Sequence, residues 1–599
     1  MSHRLPIPNL RPTVKPSTLK NSVELAKLLK EGLALHNAGK INDARHIYEQ
    51  ILENQSNHFD ALQLLAITHA QQTNSEIALQ YFNKALLINN TNAAVFNNKG
   101  NTLQELKRFD EALQSYDQAL HIKPDYTEAF INKGFTLKDL KRFDEALQSY
   151  DQALRIKPDY EFLLGTRQHI RMFTCYWNDF RKTVDDLRIS VESNLPSSTP
   201  LPILGLIDDP EIQKKCANTY INNEYPAKEK IYSLVLKDRN EKQKIAYFSA
   251  DFHNHATLHL MLEVFKHQDH SRFDFYAFSF GPETNDPWQQ EVKTYFKDFI
   301  DVSNMSDEQV ANLSRKLEID IAIDLKGFTA DARTGIFSNR AAPIQINYLG
   351  YPGTMGADYI DYIIADKVVI PEESQILYTE KVLYLPNCYQ PNIRTRKISE
   401  KTIVKKDVGL PENGIVYCSF NNIYKITPDM FSVWLDILMR VENSVLWILC
   451  GSETAKNNLI QYTKVQGIDS SRIIFALNLP IEEHLKRLPL ADVFLDTYPC
   501  NAHTTASDSI RMGVPIVTLA GQSFASRVAA SILTSVNMTD LITNNINDYR
   551  HLSIKLGTDS EYLRKTKDRL LQTIPQSPLF DSFGLSKNLE VIYSSLNNS

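Results

Sequence analysis

Along the first 160 residues, apolar and small side chains recur at helical spacing between short polar breaks. The stretch LKRFDEALQSYDQAL stands at 106–120 and again at 140–154, an offset of 34 residues. Such spacing predicts paired amphipathic helices. Helical patterning continues over 161–240, as in EFLLGTRQHIRMFTCYWNDF, with NLPSSTPLP (194–202) as a loop. Near residue 240 the period changes. Short apolar runs now alternate with amphipathic segments: KIAYFSAD, FDFYAFSF, IDIAIDL, APIQINYLGYPG, YIDYIIAD and KVLYLP, then, after Pro411, GIVYCSF, SVLWILCG, RIIFAL, ADVFLDT and VPIVTL. Alternation of strand and helix predicts mostly parallel sheets covered by helices. The two series predict two Rossmann-like lobes, 241–395 and 396–599. These follow an N-terminal extension (1–24), a helical array (25–160) and a helical linker region (161–240).

At the 34-residue offset, Phe96, Gly100, Ala112, Tyr116, Ala119 and Pro124 match Phe130, Gly134, Ala146, Tyr150, Ala153 and Pro158. Gly32, Ala44, Tyr48, Ala66 and Ala85 belong to fainter upstream copies. Small residues at two fixed points, an aromatic between them and a closing proline resemble the tetratricopeptide repeat, here in four copies. The small residues let two helices approach, the aromatic fills the remaining gap, and proline stops the second helix. An α-solenoid of this kind offers a concave groove for peptides. Asn98 and Asn132 hold equivalent places two residues before the first small position, so they stack on one face. A side-chain amide both donates and accepts. The pair could clamp an extended acceptor peptide, or be ordinary polar residues on a solvated helix.

The chain is 43% hydrophobic and 23% charged, a globular balance, and its net charge of -6 does not suggest a nucleic-acid partner. No run of about 18 apolar residues predicts a membrane span. MSHRLPIPNLRPTVKPSTLK lacks the apolar core of a signal peptide. Six dispersed cysteines form no CxxC pair and no zinc spacing. Together these features predict a cytoplasmic protein with reduced thiols, although export by a signal-less route is compatible with them. Neither lobe has GxGxxG after its first strand, and no GxxxxGK[ST] loop occurs, which speaks against nicotinamide, flavin and P-loop chemistry.

Candidate chemistry gathers in five polar stretches: SADFHNHATLHLM, LGYPGTMG, FNNIYKITP, PIEEHLKRL and CNAHTTASD. Four of them closely follow a predicted strand, where doubly wound folds keep their ligands. His503, Thr504 and Thr505 fall where ADVFLDT turns into a short helix. Unpaired N–H groups and partial positive charge there favour a phosphate, and the plain alternative is a threonine cap. Lys425, five residues after GIVYCSF, could neutralise a diphosphate. His484 and Arg487 share a helix face and could reach a base or ribose. Asp508, one turn past Thr504, suits ribose hydroxyls. His255 and His259 share a face if their segment is helical. A metal held by that pair would need a third ligand, and none stands nearby in sequence. Each of these residues has an ordinary alternative as a solvated lysine or a packing or capping histidine.

Together, DFHNHATLHLM, APIQINYLGYPGTMG, FNNIYKITP, SVLWIL, RIIF, EEHLKR, LADVFLDTYPCNAHTT and ASRVAAS resemble the O-linked N-acetylglucosamine transferase family, with its bacterial members and the SPINDLY proteins. The resemblance covers nearly the whole chain. It implies a GT-B fold and inverting, metal-independent transfer of N-acetylglucosamine from UDP-GlcNAc to Ser or Thr of proteins, with no cofactor. It implies that His503, Thr504 and Thr505 line the diphosphate and sugar, that Asp508 holds the ribose, and that His484 and Arg487 contact the nucleoside end. Lys425 would stabilise the leaving UDP, and His255, close to sugar and acceptor, would be a candidate base. Asn422, where the animal enzymes carry Gln, and Ile481, where they carry Lys, lie on the nucleotide side. The SPINDLY branch uses GDP-fucose and lacks the histidine of His-Thr-Thr, so His503 favours UDP-GlcNAc. A decayed transferase serving as a repeat scaffold is a further reading, opposed by the joint presence of Lys425, His503 and Thr504. Oligomeric state and acceptor identity have no signature in the sequence.

Overall fold

A computed structural model of the chain describes residues 19–72, 74–228 and 242–596. They fall into two compact units, one ending at Leu163 and one beginning at Leu164.

The first unit contains four helix pairs: Leu19–Asn37 with Ile41–Asn54, Phe59–Gln71 with Ser75–Ile88, Ala93–Glu105 with Phe109–Ile122, and Thr127–Asp139 with Phe143–Ile156. The first helix begins six residues before the array expected from sequence, and residues 1–18 of the expected extension lie outside the described part. A Cβ added at Gly32, Gly100 or Gly134 would collide with the ring of Tyr48, Tyr116 or Tyr150. Each tyrosine is fully buried on the second helix of its own pair. The repeating glycine is therefore the point at which two helices meet across an aromatic ring.

The helix Leu163–Phe173 starts at the boundary, and Phe180–Glu192, Pro200–Leu204 and Pro210–Glu224 follow it in the second unit. The expected loop 194–202 runs into the third of these, with Pro200 at its first turn, where a missing N–H costs nothing. Two sheets follow. The first holds β1 Gln243–Ser249, β2 Phe273–Ser279, β3 Asp298–Asp301, β4 Ile321–Asp324, β5 Ile344–Asn347, β6 Tyr362–Ala365 and β7 Lys381–Tyr384, in the order β3-β2-β1-β4-β5-β6-β7. The second holds β8 Val416–Ser419, β9 Val445–Leu449, β10 Ile473–Ala476, β11 Val493–Leu495, β12 Ile516–Leu519 and β13 Ile542–Thr543, in the order β10-β9-β8-β11-β12-β13. All pairings are parallel. The central strands β4, β8 and β11 are buried at every residue, as sheets covered on both faces require. Strand order reverses between β1 and β4 in one sheet and between β8 and β11 in the other. A crevice opens at such a switch point, beyond the carboxyl ends of the strands.

One boundary needs correction. The terminal helix Ser582–Leu596, assigned by sequence to the second lobe, packs on the first lobe. Tyr593 and Tyr247 share a buried hydroxyl–hydroxyl hydrogen bond of 2.9 Å, and Glu590 accepts from the Asp269 N–H at 2.9 Å. Its apolar face, with Leu589, Ile592, Tyr593 and Leu596, joins the common core.

Candidate functional site

Beyond β8 the chain runs through Phe420, Asn421 and Asn422 into a short 3-10 turn, Ile423–Lys425, and then into the helix Pro428–Arg440, capped by the Thr427 hydroxyl. Beyond β11 it passes Asp496 and loops to His503, and the helix Thr504–Arg511 begins. Asp496 organises this crossing. Its Oδ1 accepts from the backbone N–H groups of Thr497 (2.8 Å) and Ala502 (2.7 Å) and from Asn421 Nδ2 (3.2 Å). Its Oδ2 accepts from Thr518 Oγ1 at 2.7 Å. Burial pushes the Asp496 carboxyl up to about 6, against the pull of these donors. Asn421 links the two loops further, donating to Thr497 Oγ1 (2.7 Å) and accepting from Thr505 Oγ1 (2.6 Å).

Lys425, only 9% exposed, donates from Nζ to the Asn501 carbonyl at 2.7 Å. His503 is the N-cap residue of the helix but makes no side-chain cap bond, so the plain threonine-cap alternative is not what the turn adopts. Its buried Nε2 has no hydrogen-bond partner among the described residues. Burial, and then the Lys425 charge, hold this imidazole well below its usual range. Lys425, His503, Thr504 and Thr505 are thus brought to one place: a cation, a neutral imidazole and the open start of a helix. That set can bind a polyanion.

Asp508 lies one turn along the same helix and is already engaged. Arg396 donates to its Oδ1 at 2.8 Å, with side chains 5% and 6% exposed. Arg396 also reaches the His259 carbonyl in the first lobe at 3.3 Å. It ties together the two helices whose starts carry His503 and His255. Arg487 donates to His484 Nδ1 from Nε (3.2 Å) and Nη2 (2.9 Å), and to the Leu477 carbonyl at 2.7 Å. The Arg487 guanidinium stacks over Phe420, 5.0 Å from the ring centre. Burial, reinforced by Arg487 and Arg396, pushes His484 down to about 3, so it is neutral. Asn422 is exposed beside this network, and its carbonyl accepts from the Lys425 N–H.

In the first lobe, His255 caps the helix Ala256–Lys266 and Asp251 follows β1. His259 lies within that helix, its ring 4.4 Å from that of Trp288 and tilted 48° to it. Among the described residues no group of three or more His, Cys, Asp or Glu side chains is disposed to hold a metal. A cavity of about 270 Å³ lies between the lobes, lined by His259 and Trp288 from one, Arg396 from the connecting segment, and Ile481 and Glu482 from the other. The LGYPGTMG stretch does not contribute an open polar loop, because Thr354 Oγ1 donates to the buried Glu380 at 2.6 Å.

Asn98 and Asn132 are brought together, though not as free amides. Asn132 Nδ2 donates to Asn97 Oδ1 at 3.0 Å, and Asn97 Nδ2 to Asn98 Oδ1 at 3.4 Å. Asn98 is 2% and Asn132 9% exposed. Asp496, Asn421, Arg396 and Asn97 were missed by sequence reasoning. Asn421 and Asp496 stand inside quoted motifs beside polar neighbours, and nothing in their spacing separates them. Arg396 is one of several basic residues in a segment without periodicity.

Two doubly wound parallel sheets, following a tetratricopeptide solenoid in sequence, define a GT-B protein with helical repeats. The model of glycosyl transferase family 41 matches residues 224–392 and 392–589, and tetratricopeptide models match 29–94, 93–126 and 127–160. The chain belongs to glycosyl transferase family 41. It is 32% identical over 446 residues to a protein of Arabidopsis thaliana named probable UDP-N-acetylglucosamine–peptide N-acetylglucosaminyltransferase SEC, covering 71% of this chain and 46% of that protein. It is 30% identical to the SPINDLY protein of the same plant, over 60% of this chain and 40% of that one. The chain thus spans about half the length, or less, of the curated relatives it matches. A solved mutant of the Thermobaculum terrenum O-GlcNAc transferase shares the fold at TM-score 0.61 and 20% identity, covering 97% of this chain and 98% of that one.

Proposed function

We propose that the protein transfers N-acetylglucosamine from UDP-GlcNAc to serine or threonine of protein acceptors, with inversion and without a metal. The observation that carries this reading is Lys425 Nζ, buried beside His503 and the open helix start at the second lobe's switch point. Negative charge grows on a diphosphate as its bond to the sugar breaks, and a fixed cation in a closed site favours that state. Thr504 would donate to phosphate oxygens from its hydroxyl and Thr505, whose hydroxyl is given to Asn421, from its backbone N–H at the helix start. His503 Nε2 would face the sugar–diphosphate end. The ribose would meet Asp508, and the base would lie toward His484. Acceptor proteins would engage the repeat unit. Family membership and the names of the relatives support the reading, and His503 favours UDP-GlcNAc over the GDP-fucose alternative.

The test is mass spectrometry of a protein lysate incubated with purified enzyme, UDP-GlcNAc and a chelator. HexNAc on serine or threonine is expected. Lys425→Ala should lower the rate by about two to three orders of magnitude, as loss of a transition-state contact does, while circular dichroism stays unchanged. Wild-type rates in that variant would end the role given to Lys425.

A further inference from the structure

At the first lobe's own switch point, four side chains meet, three of them buried or half-buried and the fourth, His255, 43% exposed at the crevice. Lys326, just past β4, donates to both carboxylate oxygens of Asp251 at 2.9 Å each. The two side chains are 5% and 7% exposed. Thr257 Oγ1 donates to Asp251 Oδ2 at 3.0 Å. His255 Nδ1 lies 3.3 Å from the same Oδ2 and 3.2 Å from the backbone N–H of Thr257, which donates to it.

A ring nitrogen cannot both accept from Thr257 and donate to Asp251. The helix-cap bond requires a bare Nδ1, which puts the ring proton on Nε2. A bond to Asp251 requires the proton on Nδ1. Asp251 is the stronger attractor for that proton only while its charge is free, and here Lys326 and Thr257 already occupy it. We infer that Lys326 is a positioning residue that, by engaging Asp251, holds His255 in the tautomer carrying its proton on Nε2. His255 then offers an N–H donor to whatever binds at this crevice, and its Nε2 lone pair is not free to take a proton. In a transfer reaction the acceptor hydroxyl would give up its proton elsewhere.

The other titratable groups near the ring are His253, Asp331 and His259. Burial is the largest influence and lowers the His255 pKa, Asp251 raises it, and Lys326 opposes Asp251. Removing the lysine therefore moves the ring toward protonation at Nδ1.

The test is nitrogen-15 NMR of the histidine rings in the full-length protein, with His255 assigned by loss of its signals in His255→Gln. The wild-type ring should be neutral at pH 7 and show the Nε2–H pattern. Lys326→Met should shift the pattern toward Nδ1–H and raise the titration midpoint by about one unit or more, the effect of an unneutralised neighbouring carboxylate. Lys326→Arg should restore the wild-type pattern. A wild-type ring protonated on Nδ1, or a Lys326→Met ring unchanged in tautomer and midpoint, overturns the inference. The wild-type measurement stands even if Lys326→Met does not fold. None of these readouts depends on glycosyl transfer, so failure of the proposed activity would leave them intact.

Discussion

At the scale of single residues, the candidate site is a set of buried charges whose partners lie in other loops. Lys425, His503 and Asp508 stand out in sequence because their residue types do not belong in a core. Asn501, which accepts from Lys425, and Arg396, which pairs with Asp508, become visible as partners only when β8, β11 and the connecting segment meet. His484 gives a direct check on this packing. Its imidazole is depressed to about 3 in the folded chain, against about 6.5 when unfolded. Between those values the unfolded state binds more protons, so the stabilisation is complete above pH 6.5 and is lost as pH falls toward 3. Each proton so excluded contributes a slope of about 1.4 kcal/mol per pH unit. His484→Gln keeps an acceptor for Arg487 but does not titrate. Urea unfolding from pH 6 to 4 should be flatter in that variant than in the wild type, and an equal slope would mean that His484 is solvated.

At the scale of elements, most strands were legible because strands covered on both faces are continuous apolar runs. Two were not. The edge strand β3 reads DFID, with an acidic residue at each end, and β13 is two residues long, so neither carries a period. The destination of the helix Ser582–Leu596 was not legible either, since an apolar face does not say which lobe it covers. The repeats were legible in full because one packing solution recurs. Gly100 meets Tyr116 so closely that even a methyl group has no room. Gly100→Ala should therefore destabilise the repeat unit by about 1–3 kcal/mol, the cost of overpacking, although alanine is the better helix former. Thermal unfolding of the full chain would show it in the transition of that unit. A stabilised transition would mean that the ring moves aside freely.

At the scale of the whole molecule, two switch points define the candidate site. The one in the second lobe joins a cation to a helix start, and the one in the first holds His255 over a neutralised carboxylate. Arg396 connects them by touching the His259 carbonyl and Asp508 at once. The sequence placed the polar stretches of each lobe separately, because each follows its own strand. It could not show the connection, which depends on a segment without periodicity. On the proposed function, the second switch point holds a nucleoside diphosphate, with uridine preferred over guanosine. Calorimetric titration of the purified protein with UDP, GDP and their sugar conjugates, in chelator, tests it most directly. Selective binding of UDP and UDP-GlcNAc is expected, weakened in Lys425→Ala. Preference for GDP would contradict the assigned donor, and absence of binding to any of them would contradict the site itself.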